Sequence, residues 1–245
     1  MTTHATDEPQ FEPVGRGLPH ESAALHVTGQ AAYIDDLPEP AGTLHAALGL
    51  SPVAHGRLLK VDVEGLRALP GVVAVLTAAD IPGDNQCGSI IKDDPILADG
   101  EVRHVGQPVF AVIATERRLA LRAAAQAQAM LTIEPLPAVL TLREAHGRGE
   151  YVVPPMTLRR GQAGSIAGSN SRSIEEALAT APHRLKGTQV IGGQEQFYLE
   201  GQISLAIPLE DQGMKVHCST QHPSEMQHLV AHALGVGAHR VSVEC

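Results

Sequence analysis

Aromatic and basic residues are scarce in this chain of 245 residues. It has no tryptophan, only three phenylalanines and three tyrosines, and its 27 acidic residues exceed its 18 lysines and arginines, which gives a net charge of -9. Proteins that bind nucleic acids use a basic surface and aromatic rings on which bases can stack. The composition therefore argues against DNA or RNA as a partner.

Cysteines and long apolar runs are also missing. The three cysteines, Cys87, Cys218 and Cys245, are too few and too widely spaced for a disulfide framework or a CxxC metal site, and this usage fits a reducing compartment. No run of about 18 apolar residues occurs, and the first ten residues lack the basic start and apolar stretch of a secretion signal. We therefore expect a cytoplasmic protein with no membrane partner, and 43% hydrophobic residues are enough to form a core.

The hydrophobic pattern predicts strands that alternate with short helices. The predicted strands are 25–33, 43–50, 57–63, 71–76, 102–114 interrupted by a turn at 106–108, 131–134, 185–191, 202–207, 214–219 and 240–245. The predicted helices are 64–69, 116–130 with Thr115 as its cap, 173–179 opened by a capping box at Ser173, and a histidine-bearing helix that ends at Gly235. Residues 57–76 are interpreted as a βαβ-like unit whose second strand is covered on both faces.

Proline and glycine mark the expected boundaries. We expect a loose arm at 1–13, a first domain at 14–140, a linker at 141–158 and a second domain at 159–245. Residues 81–100 are expected to form an exposed loop. No GxxxxGK[ST] or GxGxxG loop follows a predicted strand, so a nucleotide site is not supported.

A double glycine stands where an apolar strand is predicted to end. Gly192 and Gly193 permit close approach of another group and are followed by the neutral amide Gln194, with the scarce ring of Phe197 three residues later. The pattern has two interpretations. It is either a corner that holds a ligand or a glycine-marked bulge that enters a turn.

Four other groups invite a chemical interpretation, and each has a structural alternative. Asp35 and Asp36 are a cation site or a solvated turn, Cys87 is a reactive or an inert thiol, and the pair Arg159–Arg160 binds a phosphate or is solvated. His228 and His232 stand four apart on a predicted helix, which suits zinc, but the apolar stripe of that helix places both on the solvent side.

Residues 192–200, reading GGQEQFYLE, resemble a segment of the molybdenum subunits of the xanthine dehydrogenase and aldehyde oxidase family. Residues 14–38, 106–109 and 219–223 resemble further segments of the family in the same order. The resemblance implies an α/β (α+β) fold, with the a/b hammerhead domain followed by the incomplete first part of a molybdopterin-binding domain. It also implies that Gln194 hydrogen-bonds an oxygen ligand of molybdenum, with Gly192, Gly193 and Phe197 beside the cofactor, and that no catalytic residue lies in this chain.

The implied reaction is hydroxylation of hypoxanthine and xanthine toward urate by a molybdenum–molybdopterin cofactor. Electrons then pass to iron–sulfur clusters and FAD, expected on a partner subunit because cysteine-rich segments are absent here, and finally to NAD. Because the family continues beyond the last predicted strand into a glycine-rich loop, we expect a fragment that is inactive alone. Two alternatives stay open: a related aldehyde oxidase-type hydroxylase, and a non-catalytic module for subunit assembly.

Overall fold

The computed structural model describes residues 14–88, 90–149, 151–154, 156, 173–198 and 201–245. Two compact units make up the chain. The first contains Met1–Leu136 and Leu199–Cys245, and the second contains Pro137–Tyr198. The predicted arm at 1–13 and the pair Arg159–Arg160 lie outside the described residues.

The first unit opens with the short helix α1 (Ala23–Thr28) and builds two antiparallel sheets. In one sheet β5 (Pro108–Ala114) lies between β1 (His45–Leu50) and β3 (Val72–Leu76). In the other, β2 (Gly56–Val61) lies between β4 (Glu101–Val102) and β6 (Leu131–Pro135). The helices α2 (Val63–Arg67), α3 (Arg117–Ala124) and α4 (Ala127–Met130) connect these strands.

The main core draws side chains from both sheets. Its buried members include Leu66, Val75, Val102, Val109, Phe110 and Val112, and residues of β2 and β6 pack against them. Phe110 lies opposite Gly49 across the β1–β5 pair and fills the space that a side chain on Gly49 would take. A large ring over a strand glycine covers the backbone that the glycine leaves bare.

The same unit contains a third sheet near the end of the chain. Its central strand β8 (Met214–Cys218) pairs antiparallel with β7 (Ser204–Pro208) and parallel with β9 (Val241–Glu244). Between β8 and β9 the chain forms α7 (Pro223–Leu234), which ends at the left-handed Gly235. Gln227 of α7 donates hydrogen bonds to the carbonyls of Val241, at 2.7 Å, and Ala238, at 3.1 Å. The predicted antiparallel pair, the last strand and the helix end at Gly235 are confirmed.

In the second unit the described residues form two helices, α5 (Leu142–Arg148) and α6 (Ile174–Thr180). The predicted capping box is confirmed at α6, where the Ser173 hydroxyl accepts from the Glu176 N–H and the Glu176 carboxylate accepts from the Ser173 N–H. None of the described helices of the chain is long and apolar enough to cross a bilayer.

Several predicted elements are wrong because tertiary contacts or helix caps determine the structure at those positions. The predicted strand 25–33 contains most of α1, which Gly29 ends in the left-handed conformation that glycine favours. The helix α5, which was not predicted, lies within the predicted linker, because Thr141 caps its first turn through Glu144 and Gly149 closes it. Residues 185–191 carry no strand and are exposed.

The predicted βαβ-like unit is also wrong, because β2 and β3 belong to different sheets. Ten residues separate these strands, fewer than the dozen or so that a parallel crossover needs. β3 is an edge strand with only Val75 buried, so it is not covered on both faces.

The long predicted helix is divided into α3 and α4 at Ala125 and Gln126, and it begins after Glu116, so Thr115 is not its cap. The break lets Ala123, Ala124 and Ala127 all reach the core. Because alanine favours helix on both sides of the break, no local signal marks it.

Candidate functional site

The double-glycine corner lies in the second unit, and Gly192, Gly193 and Gln194 are all exposed. Neither glycine has a positive φ, and no heavy atom of a described residue lies within 4 Å of where a Cβ would stand on either glycine. Neither a tight turn nor crowding by described residues therefore requires glycine here. The backbone at this corner is open to approach by a group from outside.

Apolar side chains around the corner are uncovered. Phe197 is 94% exposed and Ile191 is 75% exposed, and Leu185 and Val190 are exposed as well. Phe197 also has a φ of 50°, a left-handed conformation that costs a bulky residue about 1 kcal/mol or more. An exposed apolar stretch of this kind is typical of a surface that another group covers.

The second motif, Gly106-Gln107-Pro108, is structural. The Gln107 side chain is 5% exposed, and its Oε1 accepts from the Arg103 N–H at 2.7 Å. The backbone carbonyl of Gln107 accepts from the Ser51 N–H at 2.8 Å, and the backbone carbonyl of Ser51 accepts from the Gly106 N–H at 2.9 Å. This buried set of hydrogen bonds joins the end of β1 to the start of β5.

Asp36 and Cys87 have structural roles in the first unit. Asp36 accepts from the Tyr33 N–H at 2.9 Å and so caps a short turn, which confirms the predicted turn. The half-buried Cys87 thiol donates to the Asp94 carbonyl at 3.2 Å. Burial, the largest cause, and the nearby Asp94 charge raise the pKa of Cys87, which keeps it as an unreactive thiol at neutral pH.

The predicted apolar stripe of α7 is confirmed only in part. His228 and His232 are exposed, as expected, with ring centroids 6.5 Å apart. The predicted stripe residues are half-buried; they are Met226, Leu229, Val230, Ala233 and Leu234. The one fully buried residue of α7 is Ala231, which the stripe did not include. No group of three or more His, Cys, Asp or Glu side chains in the described part of the chain is arranged to hold a metal ion.

A groove of about 430 Å³ runs along α7 and was missed by the sequence analysis. Its walls come from the loop after β3 and from one face of the helix, and its lining residues are Gln86, Gly88, Lys92, His222, Ser224, Glu225, His228, Leu229 and His232. The Gln86 Oε1 is buried there and has no hydrogen-bond partner among the described residues. The sequence shows that His222, His228 and His232 are close together along the chain. It does not show that the loop containing Gln86 lies opposite them.

Whether the corner fits molybdopterin can be judged from its donors. Gln194 carries a neutral amide that can donate a hydrogen bond without adding charge, and it is exposed beside two unobstructed glycines. These residues fit an oxygen-rich metal cofactor in their chemistry.

Two family models match the chain. One describes the a/b hammerhead domain of aldehyde oxidase and xanthine dehydrogenase and matches residues 28–135, and the other describes the molybdopterin cofactor-binding domain and matches residues 159–245. Hammerhead and molybdopterin-binding domains together define a chain of the molybdenum hydroxylases, a class of oxidoreductases. The chain belongs to the aldehyde oxidase and xanthine dehydrogenase family.

Individual relatives agree on the family and differ in substrate. The chain is 36% identical to a xanthine dehydrogenase of Drosophila pseudoobscura pseudoobscura over 96% of its own length and 17% of that protein. It is 38% identical to aldehyde oxidase 2 of Cavia porcellus over 96% of its length and 16% of that protein. In fold it is similar to the aldehyde oxidoreductase of Desulfovibrio gigas, with a TM-score of 0.73 and 23% identity over 92% of this chain and 26% of the other. The chain thus spans about a sixth of the curated relatives that it matches.

Proposed function

We propose that the chain is part of the molybdenum subunit of a xanthine dehydrogenase, which hydroxylates hypoxanthine and xanthine toward urate. The observation that carries this proposal is the exposed, unobstructed Gln194 corner within the segment matched to a molybdopterin-binding domain. The accompanying domain boundaries are a hammerhead domain at 14–140, a linker at 141–158 and the first part of the cofactor domain at 159–245.

In this proposal the chain positions the cofactor. Gln194 donates a hydrogen bond to an oxygen ligand of the molybdenum, and its neutral amide does so without bringing a further charge. Gly192 and Gly193 let the backbone approach closely, and the exposed ring of Phe197 packs beside the cofactor. When bound, the cofactor supplies a Lewis-acidic, redox-active metal.

Electron transfer belongs to other parts of the enzyme in this proposal. The three cysteines of the chain do not have the spacing that holds an iron–sulfur cluster. In this proposal the clusters and FAD reside on a partner subunit, and NAD is the final acceptor.

The test uses the protein that contains this chain, purified with its iron–sulfur/FAD partner. For Gln194→Ala we expect kcat with xanthine to fall roughly 100-fold, the order seen when one donor to a transition state is removed. Gln189→Ala is the matched control, since it removes an exposed glutamine of the same segment and should leave kcat unchanged. Molybdenum content by metal analysis separates loss of the cofactor from loss of the hydrogen bond.

Substrate preference decides between the two enzymatic candidates. The identities to a xanthine dehydrogenase and an aldehyde oxidase are similar, 36% and 38%, and so support the aldehyde oxidase alternative as much as the proposal. A higher kcat/KM for xanthine than for benzaldehyde would support the proposal. A higher kcat/KM for benzaldehyde would contradict it and support an aldehyde oxidase-type hydroxylase. A protein that captures the partner but contains no molybdenum would instead be an assembly module.

A further inference from the structure

The register of the first sheet shows which of its side chains face the core. Ala47 of β1, Val112 of β5 and Val75 of β3 lie side by side in one row across the three strands. All three are buried and belong to the core clusters of the first unit. Because side chains alternate between the two faces of a sheet, the rows before and after this one face away from the core.

Both of the neighbouring rows are entirely apolar. They contain six residues, which we call the outer face: Ala46, Ile113 and Ala74 in one row, and Leu48, Ala111 and Leu76 in the other. Leu48 is 51% exposed and Leu76 is 40% exposed. Ala46 is also exposed and the remaining three are half-buried, so the described residues leave much of the outer face uncovered.

The second sheet of the same unit shows the usual arrangement. An antiparallel sheet with one face in water carries apolar residues toward the core and polar residues toward the solvent. In the second sheet Arg57 lies between Glu101 and Glu134 in one row, and its guanidinium forms an ion pair with Glu134 at 2.7 Å. The outer face of the first sheet has no such charged row. Strands that are apolar on both sides are typical of a sheet that is covered on both faces.

The size of the relatives indicates what covers the outer face. The chain matches 17% of the Drosophila pseudoobscura pseudoobscura protein and 26% of the Desulfovibrio gigas protein, so most of the polypeptide of these relatives lies outside the matched part. A surface on the same polypeptide has a high effective concentration at the sheet, whereas a separate molecule must offset the loss of its own translational freedom. A part of the same polypeptide is therefore the favoured occupant.

We propose that the outer face of the first sheet is an interface within a longer polypeptide, covered by an apolar helix or sheet from a part of that polypeptide outside these 245 residues. Burial of the six apolar side chains stabilises the contact. None of these side chains carries a polar group, so the contact leaves no side-chain donor or acceptor of the face unsatisfied. The inference depends on the pattern of the sheet and is independent of the proposed molybdenum chemistry.

The test measures thiol labelling in the complete protein that contains this chain. A cysteine is introduced as Leu48→Cys, and its reaction with a maleimide is followed by peptide mass spectrometry under native conditions. Arg57→Cys is the matched control, because Arg57 also lies on a strand and its side chain is likewise more than half exposed. We expect Leu48→Cys to react about 100-fold more slowly than the control, since a covered thiol reacts only when the interface opens. Equal rates at the two positions would overturn the proposal.

Two further measurements identify the cover. Leu76→Cys lies on the opposite edge strand from Leu48 and should be protected to a similar degree, so fast labelling there would contradict a cover that spans the outer face. The labelling rate of Leu48→Cys should not change over a dilution series in which light scattering reports the mass of the protein. Faster labelling on dilution, together with a falling mass, would assign the cover to a second copy or a separate subunit and would overturn the proposal.

Discussion

At the scale of single residues, two phenylalanines of the described chain have opposite environments. The Phe110 side chain is fully buried over Gly49, whereas Phe197 is 94% exposed beside the glycine corner. A buried ring supplies a large share of the apolar area in a chain with so few aromatics. Phe110 therefore serves the core, and Phe197 is available to contact a group outside the second unit.

Gly49→Ala should destabilise the first unit. A Cβ on Gly49 would lie 2.0 Å from the Phe110 ring, so the ring must leave its position between the two sheets. We expect a loss of about 1–3 kcal/mol in the free energy of unfolding, as for other overpacked cores. Urea unfolding should show a lower midpoint with an unchanged slope.

Gly17→Ala is the matched control for that change. Gly17 belongs to the same unit, does not have a positive φ, and has no heavy atom of the described part of the chain within 4 Å of its Cβ position. Its substitution should alter the free energy of unfolding by less than about 0.5 kcal/mol. Equal effects of the two substitutions would mean that the Phe110 ring is not fixed over Gly49.

At the scale of elements, the loop that follows β3 packs against the end of α7. The N–H groups of Gly83 and Asp84 donate to the carbonyls of Ala233 and His232, each at 2.9 Å. Carbonyls in the last turn of a helix have no i+4 donor within the helix. The loop gives Ala233 a donor, and it gives His232, which also accepts from the Gly235 N–H at 3.1 Å, a second donor. Asn85 stabilises the same loop, because its side chain forms two hydrogen bonds with the Leu97 backbone.

Gly83→Ala should detach this loop from α7. A Cβ on Gly83 would lie 1.9 Å from the His232 carbonyl oxygen, which is too close for any side chain. The loss of two hydrogen bonds should cost roughly 2 kcal/mol. Hydrogen exchange by mass spectrometry should show faster exchange at residues 83 and 84 and in the last turn of α7.

Asp84→Ala separates the backbone contribution from the side chain. It removes the ion pair between Asp84 and Lys92 but keeps the N–H that donates to His232. Exposed ion pairs contribute about 0–1 kcal/mol, so exchange in α7 should stay close to that of the unchanged protein. Faster exchange in α7 of this variant alone would assign the docking to the ion pair.

Helix ends were predictable from the sequence where the signal is local. The Ser173 capping box and the glycine after α7 each act through residues within one turn, so the pattern carries them. The break after Ala124 and the partners of β3 depend on packing between distant residues. An alanine-rich or apolar run does not encode such packing locally. At the site, the resemblance predicts a role for Gln194, which stays a prediction, and its neighbours in space cannot be derived from a run without periodicity.

At the scale of the whole molecule, burial is confined to the first unit. Every described residue that is fully buried lies between positions 47 and 127 or between 216 and 241. Residues 182–198 of the second unit are exposed throughout and belong to no helix or strand. Segments without buried contacts open at low cost in free energy, so the two units should differ in local stability.

Limited proteolysis should reveal this difference. Trypsin is expected to cleave after Lys186, in the exposed stretch of the second unit, well before it cleaves after Lys60. The Lys60 side chain is 67% exposed, but its backbone belongs to β2, which pairs with β4 and β6. A protease must unfold a strand before it can bind the chain in extended form, so access to the side chain alone is not sufficient.

The measurement is a time course of the two cleavages by mass spectrometry under native conditions. Lys186→Gln should abolish the early cut at that position and leave the slow cut at Lys60 unchanged. Equal rates at Lys60 and Lys186 would mean that β2 opens as readily as the exposed segment, which contradicts a core built on the first two sheets. If a bound cofactor covers the Gln194 corner as proposed, the cleavage after Lys186 should slow in the loaded enzyme while that after Lys60 does not change.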